Sequence, residues 1–194
     1  MKILAFILFV NFILIPQSIG IADVQKKFNS IEDFSAEFKQ SVDGKIGLSG
    51  KIFFKKKNNF RAELKNLTII TDGVSSWNYQ QRDNKVIISD YSEDDQSLFS
   101  IEKLILKYPS KCKIEESSEG GRSVILLTSQ TASLNFKRAK LWVDENSLIT
   151  KMIITDLNNS QIVVEFNNYK LNQKIPQSKF NFTPPEGCKV IDLR

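Results

Sequence analysis

Apolar and polar residues alternate along much of this chain, which is the pattern of β-strands with one buried face. The clearest run has Phe34, Ala36, Phe38, Gln40 and Val42 on one face, with Ser35, Glu37, Lys39 and Ser41 on the other. Two following segments keep this parity, with inward sets Leu48, Gly50, Ile52, Phe54 and then Phe60, Ala62, Leu64. Further strands are predicted at about 67–71, 75–80, 85–89, 111–117, 122–129, 134–143, 148–156 and 161–168.

Turn residues separate most of these strands, among them Asp43-Gly44, Asp72-Gly73 and Gly120-Gly121. Connections this short join antiparallel neighbours, because parallel strands need a long crossover. About eleven antiparallel strands can curl into a barrel or a partly closed barrel. The pattern therefore predicts a mainly β fold, an incomplete antiparallel β-barrel of about eleven strands.

Two segments have the helical period instead. Over residues 23–31, Val24, Phe28 and Ile31 fall at i, i+4 and i+7, which predicts a short amphipathic helix. Residues 97–107 place Leu98, Ile101, Leu104 and Ile105 on one side and end before Pro109, which cannot continue a helix. We interpret this second helix as a lid lying over the sheet, with Phe99 as a further lid residue.

The first 22 residues are typical of a secretory signal peptide. Lys2 is followed by an apolar run from Ile3 to Ile15, and Gly20-Ile21-Ala22 resembles a small-residue cleavage site. A membrane anchor is the alternative, but the run of about 13 residues is shorter than the ~20 needed to span a bilayer. We expect residues 1–22 to be a signal peptide and 23–194 to form one domain.

Composition argues against several classes of function. The sequence contains no histidine, which removes the usual base of Ser-His and Cys-His catalysis and the commonest transition-metal ligand. Without Lys2, 26 basic residues stand against 22 acidic ones, a net charge of +4 with no basic stripe for nucleic acid. We expect no catalytic residues, metal, cofactor or nucleic-acid partner.

Two cysteines remain, Cys112 and Cys188. In an exported chain they could form a disulfide, or they could be two separate thiols.

Several motifs in order resemble the LolA family of periplasmic outer-membrane lipoprotein carriers. They are Phe34-x-Ala36-x-Phe38-x-Gln40, Ser49-Gly50, Phe60-Arg61, the stretch Thr-Asp-Gly-Val-Ser-Ser-Trp-Asn-Tyr (71–79), and Lys-Phe-Asn-Phe-Thr-Pro-Pro-Glu-Gly (179–187). The order and spacing match over essentially the whole chain after the signal segment. The resemblance implies a LolA/LolB-like half-barrel closed by helices, an apolar cavity for acyl chains, and a periplasmic location in a Gram-negative bacterium.

The resemblance also implies a set of partners. They are acylated lipoproteins as cargo, an inner-membrane ABC-type lipoprotein-releasing complex, and an outer-membrane receptor lipoprotein. We expect a monomer. An envelope lipid-binding, sensor or receptor module of the same fold is the alternative, and a lipid hydrolase lacks an identifiable nucleophile and base.

The cavity and lid residues follow from the parity and the resemblance together. The predicted cavity set is Phe34, Phe38, Val42, Ile52, Phe54, Phe60, Ala62, Leu64, Trp77 and Tyr79, and the predicted lid set is Leu98, Phe99, Ile101, Leu104 and Ile105. For Trp77 and Tyr79 an ordinary dry core is the alternative. Lys56 stands where well-known members have a lid-contacting Arg, and Ala62 where many have Trp, so we predict Lys56 as a lid contact and more room beside Ala62.

Overall fold

The computed structural model describes residues 18–92 and 101–194. Most of these residues form one sheet of twelve strands. The strands are β1 Asp33–Val42, β2 Lys45–Lys55, β3 Asn59–Leu64, β4 Leu67–Asp72, β5 Ser75–Gln80, β6 Lys85–Asp90, β7 Cys112–Glu119, β8 Arg122–Ser129, β9 Phe136–Val143, β10 Ile149–Asp156, β11 Gln161–Leu171 and β12 Lys189–Asp192. The mainly β fold predicted from the alternation is confirmed, including all eleven predicted strands.

The sheet is open rather than closed into a barrel. Its strand order is β12-β6-β5-β4-β3-β2-β1-β11-β10-β9-β8-β7, so β12 and β7 are the two edge strands. Antiparallel pairing holds throughout except at β12, which pairs in parallel with β6. This twelfth strand was not predicted, and it makes the sheet mixed at one edge.

Two helical segments lie on the same side of the sheet. Helix α1, Ile21–Ser30, buries Val24 and Phe28. The second segment, which we call the mid-chain helix, comprises residues 101–107; its last five residues, Lys103–Lys107, form a π-helical turn. Both helices were predicted, but the lid residues Leu98 and Phe99 lie outside the described residues.

The N-terminal prediction is only partly within the described ranges. Residues 1–17 lie outside them, and α1 begins at Ile21, inside the segment predicted as a signal peptide. None of the helices in residues 18–92 and 101–194 is long and apolar enough to cross a membrane.

The sheet has two faces with different coverings. We call the face that carries Phe34, Ala36 and Phe38 the inner face; together with α1 and the mid-chain helix it forms the main hydrophobic core. On the opposite, outer face, Ile70 and Val86 are fully buried. There the short 3-10 helix Gln177–Phe180 packs against β3 and β4, with Phe180 completely buried. The C-terminal segment therefore covers apolar residues that the helices do not reach.

Candidate functional site

The inner face of β1, β2 and β3 forms a continuous apolar wall. Cross-strand pairing joins Phe34 to Phe54 and Phe54 to Phe60, and residues paired this way point to the same face. A second row runs Ala36, Ile52, Ala62. Of the predicted cavity residues, Phe34, Phe38, Ile52, Phe54 and Ala62 are buried, whereas Phe60 and Leu64 are partly buried against them. The strand parity thus placed these residues on one face, and their contact with lipid stays a prediction.

Val42 lies at the margin of this wall. It pairs with Ile162 of β11, on the inner face, but retains 38% exposure. Leu48 of β2 is similarly exposed, at 44%. The apolar wall therefore continues into residues that are open to solvent.

Two helices cover the buried part of the wall. The ring of Phe28 in α1 lies 5.4 Å from that of Phe54, centroid to centroid. In the mid-chain helix Leu104 and Ile105 are buried, and Ile101 is partly buried against the core. The Gln25 side-chain amide of α1 donates a 2.9 Å hydrogen bond to the Ile105 carbonyl, which links the two helices. Three of the predicted lid residues thus pack over the predicted wall.

One cavity beneath the helices is small. An apolar cavity of about 20 Å³ is lined by Phe28 of α1, Ile101 and Ile105 of the mid-chain helix, and Phe34 and Tyr169 of the sheet. A volume of this size holds about one water molecule. A cavity of this size does not admit a long apolar ligand unless the helices move.

Tyr169 brings a polar group to the edge of this cavity. Its hydroxyl donates a 2.8 Å hydrogen bond to the Ile149 carbonyl. Burial, with a smaller contribution from the charge of Asp144, raises the pKa of Tyr169 well above its ordinary value of 10.0. The hydroxyl is therefore a neutral donor at physiological pH and satisfies a backbone acceptor at the cavity wall.

Among the described residues, Lys56 contacts helix α1. Its ammonium lies 2.9 Å from the Asn29 carbonyl oxygen at the C-terminal end of α1 and 2.7 Å from a carboxylate oxygen of Glu32. A cation at this position complements the unpaired carbonyls and the negative end of the helix dipole. Lys56 thus links α1 to the β2–β3 turn. Part of the predicted lid, residues 97–100, lies outside the described residues, and the contact of Lys56 with the lid stays a prediction.

Trp77 and Tyr79 do not lie on the inner face with the other predicted cavity residues. Trp77 pairs with Ile70, which pairs with Arg61, and this row belongs to the outer face. The Tyr79 ring lies 5.1 Å from that of Phe182 in the C-terminal segment. These aromatic side chains point away from the apolar wall and pack in a second apolar cluster on the outer face.

A charged cluster holds the C-terminal segment on that outer face. Glu63 of β3 accepts hydrogen bonds from Lys179 at 2.8 Å and from Arg61 at 2.7 Å. Burial acts to raise the pKa of Glu63, but these hydrogen bonds outweigh it, so its pKa lies below the ordinary value of 4.5. The Lys179 ammonium also lies 4.1 Å from the centre of the Phe53 ring.

Between the two misplaced aromatics lies a residue that sequence reasoning missed. Asn78 belongs to the row Ala62, Ile69, Asn78, Ile87 and therefore to the inner face. The signal that could have found it was the strict alternation within β5, which leaves Ser76, Asn78 and Gln80 opposite Trp77 and Tyr79. Because Trp77 and Tyr79 were assigned to the inner face, the alternating polar residues of β5 were assigned to the outer face.

The two cysteines do not form a disulfide in this structure. Both are free, Cys112 buried and Cys188 partly buried. Cys112 begins β7 and Cys188 immediately precedes β12, so they belong to opposite edges of the open sheet. The arrangement corresponds to the alternative of two separate thiols.

Comparison with known proteins gives one family and one fold. The family model described as "Outer membrane lipoprotein carrier protein LolA" matches residues 29–183. The outer-membrane lipoprotein carrier protein of Legionella pneumophila (strain Lens) is 28% identical over 181 residues, 87% of this chain and 87% of its own length. That of Francisella tularensis subsp. novicida (strain U112) is 26% identical over 203 residues and covers 98% of this chain and 97% of its own.

Among solved structures, an uncharacterized conserved protein from Thermus thermophilus is similar with a TM-score of 0.59. The match covers 89% of this chain and 96% of that one at 13% identity, so it shows the fold alone.

Proposed function

Because this chain belongs to the LolA family of outer membrane lipoprotein carrier proteins, we propose that it shuttles lipoproteins from the inner to the outer membrane of a Gram-negative bacterium. In this proposal the acyl chains of the cargo lie against the apolar inner face while the protein crosses the periplasm. The observation that carries it is an apolar wall covered by two amphipathic helices, with a small apolar cavity between the wall and the helices.

The physical need for such a wall is large. Moving an acyl chain from a bilayer into water costs about 0.8 kcal/mol for each CH₂ group. A wall built from Phe34, Phe54 and Phe60 replaces the hydrocarbon of the bilayer. The same wall has to release the chain at its destination, and covering helices make release possible by competing with the lipid for the same apolar surface.

The proposal contains no chemical step. The buried residues of the apolar wall have hydrocarbon and aromatic side chains, which shield a ligand rather than react with it. We therefore propose a carrier and not an enzyme. Its partners are an inner-membrane ABC-type complex that delivers lipoproteins and an outer-membrane receptor lipoprotein that accepts them.

A release assay tests this function. Spheroplasts that retain a radiolabelled, fully acylated lipoprotein in the inner membrane are incubated with ATP and with purified protein starting near residue 21. We expect the labelled lipoprotein to appear in the soluble fraction as a one-to-one complex, and then to transfer to added outer-membrane vesicles.

The control is the same cargo with its lipid-bearing cysteine replaced, which must not form the complex. If the protein releases no acylated lipoprotein, the carrier function is wrong. If it forms the complex but never transfers the cargo to the vesicles, it is a lipid-binding or sensor module of the same fold.

A further inference from the structure

The inner face changes character from β3 to β5. β3 contributes Phe60, Ala62 and Leu64 to this face. β5 contributes Ser76, Asn78 and Gln80, and each of these three polar residues is partly buried. We call these last three side chains the polar strip. Since β4 lies between the two strands, the polar strip runs beside the apolar wall at a distance of about two strand spacings, or roughly 10 Å.

Asn78 occupies the middle of the polar strip, between two apolar neighbours. It pairs with Ile69 of β4 on one side and with Ile87 of β6 on the other, both of them partly buried. An aliphatic side chain at this position would continue the row from Ala62. The sequence places an amide there instead.

The Asn78 amide is also incompletely satisfied. Its Oδ1 atom is buried and accepts no hydrogen bond from any described part of the chain. Leaving a buried acceptor unpaired costs about 1–3 kcal/mol, and native proteins leave few such groups. A stability cost at one position of an apolar row is typical of a residue kept for function.

The rest of the polar strip offers further hydrogen-bonding groups. Ser76 pairs across the sheet with Thr71 and Ser89, and Gln80 pairs with Lys85. The Thr71 hydroxyl already accepts a hydrogen bond from the Gly73 backbone amide, at 3.1 Å. The inner face therefore has an apolar part at β1–β3 and a hydrogen-bonding part at β5.

We propose that the polar strip binds the linkage through which the acyl chains join the cargo polypeptide, with Asn78 Oδ1 accepting a hydrogen bond from the N–H of an N-acyl amide. This inference rests on the proposed carrier function. An acylated chain terminus is apolar along its hydrocarbon and polar at its ester and amide links, and the inner face has the same division. Of those links only the amide has a donor, and an unpaired acceptor requires a donor.

The test compares two lipopeptides that differ in the substituent on one amide nitrogen, hydrogen or methyl. The first carries an N-palmitoyl amide at its terminus, and the second carries the same group with the amide nitrogen methylated, so that it cannot donate. Their dissociation constants are measured for the wild type and for Asn78→Leu. We expect the wild type to bind the N–H lipopeptide about tenfold more tightly, which corresponds to about 1.4 kcal/mol, and Asn78→Leu to lose this preference.

Thermal unfolding separates binding from structure. Removing an unpaired buried acceptor should leave the Tm of Asn78→Leu unchanged or higher. The matched control is Asn167→Leu, an exposed strand asparagine in β11, which should keep the tenfold preference.

The outcomes distinguish the two proposals. If the wild type binds neither lipopeptide, the carrier function itself fails. If it binds both equally, or if Asn78→Leu retains the preference, the amide is not recognised by Asn78 and the inference is overturned. A lower Tm with the preference retained would show that Asn78 has a structural role only.

Discussion

At the scale of single residues, neighbours in sequence lie on opposite faces and have different tasks. Phe60 packs against the main core on the inner face, whereas Arg61 binds Glu63 on the outer face. This one-residue alternation makes single substitutions informative, because each one reports on only one face of the sheet.

Phe60→Glu should abolish transport of acylated cargo while preserving the fold. The carboxylate would lie where an acyl chain binds, and an unpaired charge in apolar surroundings costs several kcal/mol or draws in water. Phe60 is only partly buried, so the folded state can hydrate the charge. Circular dichroism checks the fold, and the release assay checks the function.

The control for Phe60→Glu is Ser49→Glu. Ser49 is exposed on the opposite face of β2 and pairs with Lys39, so a new carboxylate there meets a lysine. Arg61 is less suitable, because it also lies 3.4 Å from the Lys179 carbonyl oxygen and so contacts the C-terminal segment. Normal transport by Phe60→Glu would mean that this ring does not contact the cargo.

Parity predicted the side-chain directions in β1, β2 and β3, because the apolar residues of these strands, apart from Phe53, belong to one alternating set. It failed in β5, where Trp77 and Tyr79 are the apolar set but face outward. Sequence alone could not reveal that Phe182, more than one hundred residues later, packs on Tyr79. Alternation divides the residues of a strand into two sets. When both faces of the sheet are covered, it does not show which set lies on the inner face and which on the outer face.

At the scale of elements, the spacing between strands depends on particular glycines. Gly50 of β2 lies directly against β3, and a methyl group at this position would overlap the Glu63 carbonyl oxygen. Gly47 lies in the same strand, but a methyl group there would be 3.6 Å from its nearest neighbour, an ordinary contact.

Gly50→Ala should therefore destabilise the protein severely, by about 3 kcal/mol or more, because backbone atoms have to move apart. Gly47→Ala is the matched control and should change the free energy of unfolding by less than about 1 kcal/mol. Urea denaturation of both variants measures the difference. Equal stabilities would show that β2 and β3 do not pack this closely at Gly50.

The attachment of the C-terminal segment should depend on pH through Glu63. The folded-state pKa of this carboxyl is lowered, so its contribution to stability is present above about pH 4.5 and is lost as the pH falls through the folded pKa. An NMR titration should give a Glu63 pKa below 4.5, with the Phe182 ring signals changing over the same range.

Glu63→Gln removes the titrating group and is the control for that experiment. The Phe182 signals of this variant should no longer follow a transition below pH 4.5. A Glu63 pKa at or above 4.5 in the native protein would contradict the hydrogen bonds from Lys179 and Arg61.

Prediction of elements succeeded wherever the period was sustained over many residues. Both helices and eleven strands have such runs, but β12 has only four residues and pairs in parallel with a strand about one hundred positions earlier. The residues around β12 do not show a strand pattern long enough to predict it, and they do not indicate that it pairs with β6. The π-helical turn at Lys103–Lys107 was likewise unpredicted, because it preserves the apolar face of an ordinary helix.

At the scale of the whole molecule, the small cavity between the helices and the wall implies two arrangements of the helices. The cavity of about 20 Å³ does not admit an acyl chain, so binding has to separate α1 and the mid-chain helix from the wall. The Gln25–Ile105 hydrogen bond and the Lys56 contacts with α1 are the polar links that we expect to change.

Hydrogen exchange should report this opening. On addition of a palmitoylated lipopeptide, backbone amides of α1 should exchange faster, whereas those of the central strand β1 should exchange at the same rate or more slowly. A lipopeptide without its acyl chain is the control and should change neither. Uniform protection of α1 and β1 on binding would mean that the cargo does not displace the helix.

The position of β1 in the sheet has a consequence for how the chain folds. β1 lies between β2, its neighbour in sequence, and β11, so that Phe38 pairs both with Gly50 and with Phe166. A chain that emerges N-terminus first can form the β1–β6 hairpins early, but the seam between β1 and β11 has to wait for residues 161–171. Pairings this distant in sequence are slow to form. We therefore expect the domain to complete its core only when nearly the entire chain is available, which leaves the core incomplete for most of the chain's synthesis.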